Sequence, residues 1–312
     1  MNSSKIGRIA KGKLMVNFKD IELSDKQWID ECMSKSDFQG CEYVFTSVYI
    51  WRKIYHTQVA KVDGMCCFRM GYGKNYRYTF PTGNGDTKKV IEELMKDAKE
   101  RGYQFVLRGI TENQIPKMEE WFPEMFQFEL QRDESDYIYT VEKLSKLAGK
   151  KLHGKRNHIR RFQDSDNWEY QPINEANIVE CEQMNQEWID KYTTEEDESL
   201  IEESKAVKEA FRCFHELGLE GGLLKRDGKV VAYTIAEPLN SNTYVIHIEK
   251  AFHEIQGAYP MINQQFVLHN CQDYEFVNRE EDTGDEGLRK AKLSYYPDIL
   301  LDKYNAALIE EE

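Results

Sequence analysis

Nowhere in this 312-residue chain do about eighteen apolar residues run together, the length a helix needs to cross a bilayer, so no membrane-spanning segment is expected. Residues 1 to 14 carry Lys5, Arg8, Lys11 and Lys13 without the apolar core of a secretory signal, and are read as a disordered extension before patterned sequence begins at Met15. The cytoplasm is the expected compartment. Cys32, Cys41, Cys66, Cys67, Cys181, Cys213 and Cys271 include no Cys-x-x-Cys pair, which argues against a disulfide framework or zinc site and leaves buried free thiols. The histidines include no His-Glu-x-x-His, and no metal is expected. Positive charge is in deficit: 42 Lys and Arg face 55 Asp and Glu, a net charge of −13 that disfavours broad adhesion to nucleic acid or an anionic membrane. Any anionic partner must meet a local basic patch.

What is present reads as two packed α/β domains of roughly 150 residues each. A helix is expected from Asp25. Tyr43, Phe45, Tyr49, Trp51 and Tyr55 then read as a buried helical stripe, a packed face before a ligand surface. Asp63-Gly64 joins strands 57–62 and 65–70, and a strand at 76–80, the turn PTGNGD at 81–86, a helix over 87–99, a strand at 105–107, a helix over 112–121 and strands at 126–129 and 137–140 follow. The second half repeats this order. It has a strand at 168–171, helices over 175–191 and 203–217, strands 222–225 and 229–237 about Asp227-Gly228, a strand at 243–250, a helix over 259–270 and a strand at 275–278. The junction falls near residue 141, giving units 1–140 and 141–312.

Across that junction, residues 141–162 hold eight Lys or Arg and a single acid, Glu142. Leu144, Ala148, Leu152, Ile159 and Phe162 supply an apolar face, so the segment is able to dock while presenting Lys155, Arg156 and Arg160 as an anion site for phosphates; a solvated helix face is the plain alternative.

The densest stretch is 278–297, NREEDTGDEGLRKAKLSYYP, with a short helix expected to start at an Asp285 N-cap. Its Gly287-Leu288, Lys292 and Tyr295 resemble the Gly-Leu-x-x-Phe-Lys-x-x-Phe-Gly segment of Fem-type peptidoglycan aminoacyltransferases, with Ala291 in place of the aromatic and a tyrosine-proline ending in place of Phe-Gly. With WRKIY at 51–55, HGKRNH at 153–158 and HIEK at 247–250, the chain from about Phe18 onward resembles the C-terminal domain of phosphatidylglycerol lysyltransferase and its soluble bacterial relatives. The resemblance implies tandem GNAT-like units with mixed, mainly antiparallel sheets, a Lys-Arg-Asn element at Lys155, Arg156 and Asn157, and transfer of an acyl or aminoacyl group from acyl-CoA or aminoacyl-tRNA to an amine or hydroxyl.

Such chemistry needs a base and donors aimed at a developing oxyanion. Glu249, two residues from His247 and hence expected on the same sheet face, is the candidate base, with His247 as partner or relay; ordinary cross-strand polar pairing is the alternative. Arg279 and Lys292 are candidate stabilisers of an oxyanion or leaving phosphate, and Glu280 or Asp282 would position an acceptor amine, unless these acids and bases simply pair with one another. Gln256-Gly257-Ala258, before a helix, occupies the place where GNAT proteins take a pyrophosphate, without the full consensus for it. A non-catalytic ligand-binding protein on the same scaffold, or RNA binding through 141–162, would leave these residues without a reaction.

Overall fold

The structure, a computed structural model, describes residues 15–164 and 167–309; the opening read as disordered lies outside the described residues. Along the chain run β1 (Lys19–Asp20), α1 (Lys26–Ser36), α2 (Phe45–Trp51), β2 (Gln58–Val62), β3 (Met65–Met70), β4 (Arg77–Thr79), α3 (Thr87–Arg101), β5 (Val106–Thr111), α4 (Ile115–Trp121) and β6 (Phe126–Leu130). There follow β7 (Asp136–Thr140), α5 (Val141–Lys146), α6 (His153–Gln163), β8 (Trp168–Pro172), α7 (Ile178–Tyr192), α8 (Glu198–Arg212) and α9 (Phe214–Leu217). β9 (Glu220–Arg226), β10 (Lys229–Pro238), β11 (Thr243–Ala251), α10 (Ala258–Asn270), β12 (Phe276–Asn278), α11 (Glu286–Leu293), β13 (Ile299–Leu301) and β14 (Lys303–Leu308) complete it. Among the described residues no helix is long and apolar enough to cross a membrane.

Both Asp-Gly hairpins form with left-handed backbone at each central residue, φ 48° and 80° at Asp63-Gly64 and 51° and 76° at Asp227-Gly228, the geometry that matches strand twist. Two seven-stranded sheets result, ordered β1-β2-β3-β4-β5-β14-β6 and β13-β7-β12-β11-β10-β9-β8. Each is antiparallel but for one parallel pair, β4 with β5 and β11 with β12. The second pair shares a ladder only from Thr243↔Phe276 to Val245↔Asn278. β11 continues to Ala251 without β12 beside it, so the sheet opens there.

The sheets also exchange strands. β7 pairs with β12 and β13 in the second sheet, whereas β14 lies between β5 and β6 in the first. A cut at residue 141 therefore separates a strand from each sheet. The halves share a core as well: Ile29, Phe45 and Tyr49 belong to one buried cluster with Phe211, Phe214 and Tyr233. Burial of each such side chain is worth about 1.5–3 kcal/mol, enough to make the halves one packed body.

Candidate active site where β11 and β12 part

Ile248 pairs with Ile235 and Ile246 with Ala236, which makes His247 the extra residue of a β-bulge. The bulge breaks the alternation that would have put His247 beside Glu249. His247 instead turns to Glu237 (Nε2 to Oε1, 2.9 Å) and Glu280 (Nδ1 to Oε1, 2.8 Å). Burial alone would lower its imidazole, but the two carboxylates outweigh it and push the value up to about 10. His247 is thus a buried cation between two acids, without a free lone pair to relay a proton from Glu249. Because the folded value lies above the ordinary 6.5, this stabilisation is complete below about pH 6.5 and lost as pH rises through about 10. Urea denaturation from pH 6 to pH 10.5 should show a decline in stability that His247→Gln lacks; parallel pH profiles would refute the assignment.

Glu249 points the other way, towards α10. Its Oε1 accepts from Arg279 Nη2 at 2.8 Å and its Oε2 from Asn263 Nδ2 at 2.9 Å. Arg279 leaves β12 just past the shared ladder and packs over the Tyr295 ring, 4.9 Å from its centroid. Lys155 of α6 lies over the same ring at 3.9 Å. Burial, then the Arg279 charge, lower its ammonium to about 8 against the opposing pull of Glu249. Two buried atoms here have no protein partner, Arg279 Nη1 and Asn263 Oδ1. A buried polar atom left unpaired costs about 1–3 kcal/mol, and here one unfilled donor and one unfilled acceptor flank the Glu249 carboxylate.

The remaining acids and bases of 278–292 are committed to holding the loop. Lys292, 7% exposed, donates to the carbonyls of Arg279 (2.6 Å), Glu280 (3.2 Å) and Glu281, so its charge locks the backbone that carries Arg279 instead of facing Glu249. Tyr139 donates to the Lys292 carbonyl at 2.7 Å and secures α11 to β7. Asp282 accepts from Arg289 Nε and Nη2 (2.8 and 2.7 Å), the Gly284 N–H (2.9 Å) and Tyr137. Burial would raise its carboxyl, but these donors hold it far below the usual range, and no oxygen is left to position an amine. Glu280 is engaged by His247, and Asp285 caps α11 as expected, accepting from the Leu288 N–H at 2.6 Å.

The basic segment divides similarly. Arg156 donates to the carbonyls of Leu147 and Gly149, satisfying the end of α5, and Asn157 bonds His153 at 3.0 Å. Arg160 is exposed, and only Lys155 of the three cations joins the Glu249 cluster. The Gln256-Gly257-Ala258 turn is covered: a Cβ on Gly257 would stand 2.1 Å from the His158 carbonyl oxygen, so α6 packs where a pyrophosphate would approach, and Ala258 is fully buried.

The family description "Phosphatidylglycerol lysyltransferase, C-terminal" matches residues 34–307. The chain belongs to this family. The fold matches a conserved protein of unknown function from Bacteroides thetaiotaomicron VPI-5482 with a TM-score of 0.90 and 41% identity, over 95% of this chain and 100% of that one. L-PGS from Bacillus licheniformis matches with a TM-score of 0.59 and 16% identity, over 85% and 92%. FemX matches with a TM-score of 0.62 and 8% identity, over 93% and 96%; identities this low bear on fold alone. A match at 25% identity to an uncharacterized protein of Mycoplasmoides gallisepticum covers 61% of this chain and spans 62% of that relative's length. The architecture is the tandem GNAT-like, Fem-type one, with two mixed, mainly antiparallel sheets.

In this lysyltransferase-family chain, Asn263 carries no motif, and its signal in the sequence is that of a lone Asn among Met261, Ile262, Phe266 and Val267 on α10, the mark of a buried polar group with a partner. Cys41, Glu42 and Asp136 bring ligand atoms within 4.8 Å of one another, as a metal would require. The Lys303 ammonium lies among them, 2.7 Å from Asp136, 2.7 Å from Glu42 and 3.5 Å from the Cys41 sulfur, and supplies the positive charge itself.

Proposed function

We propose that this chain is an aminoacyl or acyl transferase whose reaction centre is Glu249, Arg279 and Asn263, with Lys155 beside them. The observation that carries this reading is the pair of unfilled polar atoms, Arg279 Nη1 and Asn263 Oδ1, flanking a carboxylate where β11 and β12 part. An acceptor amine or hydroxyl forms the new bond to the acyl carbon, the ester or thioester bond to the carrier breaks, and Glu249 takes the acceptor's proton and returns one to the leaving atom. Arg279 stabilises the oxyanion in between. The family description names lysyl transfer; what is carried over is the class, transfer of an aminoacyl group. A tRNA-borne donor suits the site better than acyl-CoA, because α6 covers the turn at Gly257. Seven buried free cysteines accord with a reducing, cytoplasmic setting.

A non-catalytic binding protein is the second reading, favoured by the ion pair that already engages Glu249. A donor assay separates the two. The protein is incubated with radiolabelled aminoacyl-tRNAs or acetyl-CoA, together with amine and hydroxyl acceptors that include phospholipid vesicles. Label leaving an aminoacyl-tRNA for an acceptor, faster than spontaneous deacylation, is the expected result. A ligand-induced rise in thermal midpoint without any transfer would favour the binding protein, and transfer from acetyl-CoA alone would overturn the tRNA-borne donor.

A further inference from the structure

Among the described residues, Lys155 makes neither a hydrogen bond nor an ion pair; its ammonium lies over the Tyr295 ring, 3.9 Å from the centroid. The charges around it are already matched. Glu249 is bonded to Arg279 and Asn263, so Arg279 balances its carboxylate. Along 278–298, Glu280 faces His247, Asp282 faces Arg289 and Asp298 faces Lys143. The centre at Glu249 is left with one positive charge in excess, on a half-buried side chain.

A ring face attracts a cation without neutralising it. Burial and the Arg279 charge both weigh against the Lys155 ammonium, and an anion beside it would relieve that penalty. Two further atoms of the centre are unfilled and of opposite kinds, the donor Arg279 Nη1 and the acceptor Asn263 Oδ1. A molecule that satisfies all three offers a carbonyl oxygen to Arg279, an ammonium to Asn263 and an anion to Lys155. The anion that fits is a single carboxylate. A phosphodiester chain is followed by a row of cations, whereas Arg156 is turned to the Leu147 and Gly149 carbonyls and neither it nor Arg160 joins the cluster.

We propose that Lys155 is a specificity-determining residue that selects an acidic aminoacyl group, aspartyl or glutamyl, by pairing with its side-chain carboxylate. The inference rests on the transferase reading and narrows its substrate. The ester carbonyl meets Arg279 Nη1, the α-ammonium meets Asn263 Oδ1, and the side-chain carboxylate lies against Lys155. A lysyl group would bring a second cation to Lys155, with no unmatched acid in the cluster to receive it.

The test is calorimetry on the full chain with four α-amides, those of L-glutamic acid, L-aspartic acid, L-norvaline and L-lysine, which keep the carbonyl and α-ammonium of the aminoacyl group and differ in side-chain charge. Lys155 is half-buried on α6, so Lys155→Met and Lys155→Glu should both fold, which an unchanged thermal midpoint checks. Saturable binding of an acidic amide is expected, at least about tenfold tighter than that of lysinamide. Lys155→Met should erase the difference and Lys155→Glu should reverse it, a switch that a purely structural lysine would not produce. Lysinamide binding as tightly as the acidic amides, an acidic preference that survives Lys155→Met, or no saturable binding of any amide would overturn the assignment. The donor assay separates this from the broader reading: transfer from aminoacyl-tRNAs without acidic preference would remove the role of Lys155 and leave the transferase.

Discussion

Lys303→Met is expected to lower the free energy of unfolding by about 3–5 kcal/mol in urea denaturation, among the largest losses any single substitution here should produce. Lys303 is 3% exposed and Asp136 fully buried. Asp136 also accepts from the Cys41 N–H (2.8 Å) and Asn278 Nδ2 (2.8 Å), so its charge is well solvated by donors but neutralised chiefly by Lys303. Burial would lower the lysine's ammonium, yet Asp136, Cys41, Glu42 and Glu281 outweigh it and keep the group charged. Methionine fills the volume and leaves Asp136 as a buried anion without its cation, the costly half of a broken pair. Adding Asp136→Asn should recover much of the loss, because the donors from Cys41 and Asn278 still have an oxygen to meet. A single mutant as stable as the parent would mean that water reaches Asp136.

Glu249→Gln should reduce turnover about 10²–10⁴-fold with little change in KM, once a donor and acceptor are in hand. Glutamine keeps the shape and still accepts from Arg279 or Asn263, so the substrate-binding surface stays while the base is lost. Asn263→Ala should cost less in turnover, since it removes an orienting bond and not the proton acceptor. Near-parental turnover in Glu249→Gln would leave the binding-protein reading or a base elsewhere. A rise in KM alone would assign Glu249 to substrate binding.

Local chemistry made much of the architecture legible in advance. The two Asp-Gly turns, the Asp285 cap and a helix beginning within a residue of Tyr259 all depend on a few neighbouring residues, and each appears in the structure. What escaped was non-local. The bulge at His247 arises from how β11 meets β10, and a single strand gives no sign of an extra residue. Arg156 and Lys155 are adjacent and chemically alike, yet one caps α5 and the other faces Glu249, because a helix turns neighbouring side chains about 100° apart. The last strand, β14, reads KYNAAL, without sustained alternation, and nothing within it names β5 and β6 as its neighbours.

The position of β14 bears on how the protein is made. A ribosome that has delivered everything up to Leu301 has produced a first sheet with a vacant lane, since Ala306 pairs with Leu107 on one side and Phe128 on the other. Until the residues of β14 emerge, β5 and β6 present unpaired edges of the kind that recruit other chains. Ile110, Leu107 and Phe126 belong to the core that Ala306 closes. The first half cannot mature ahead of the second, as a chain of independent modules would. Completion of the first sheet waits for β14, so a chain released before those residues are made carries its earliest-made sheet unfinished.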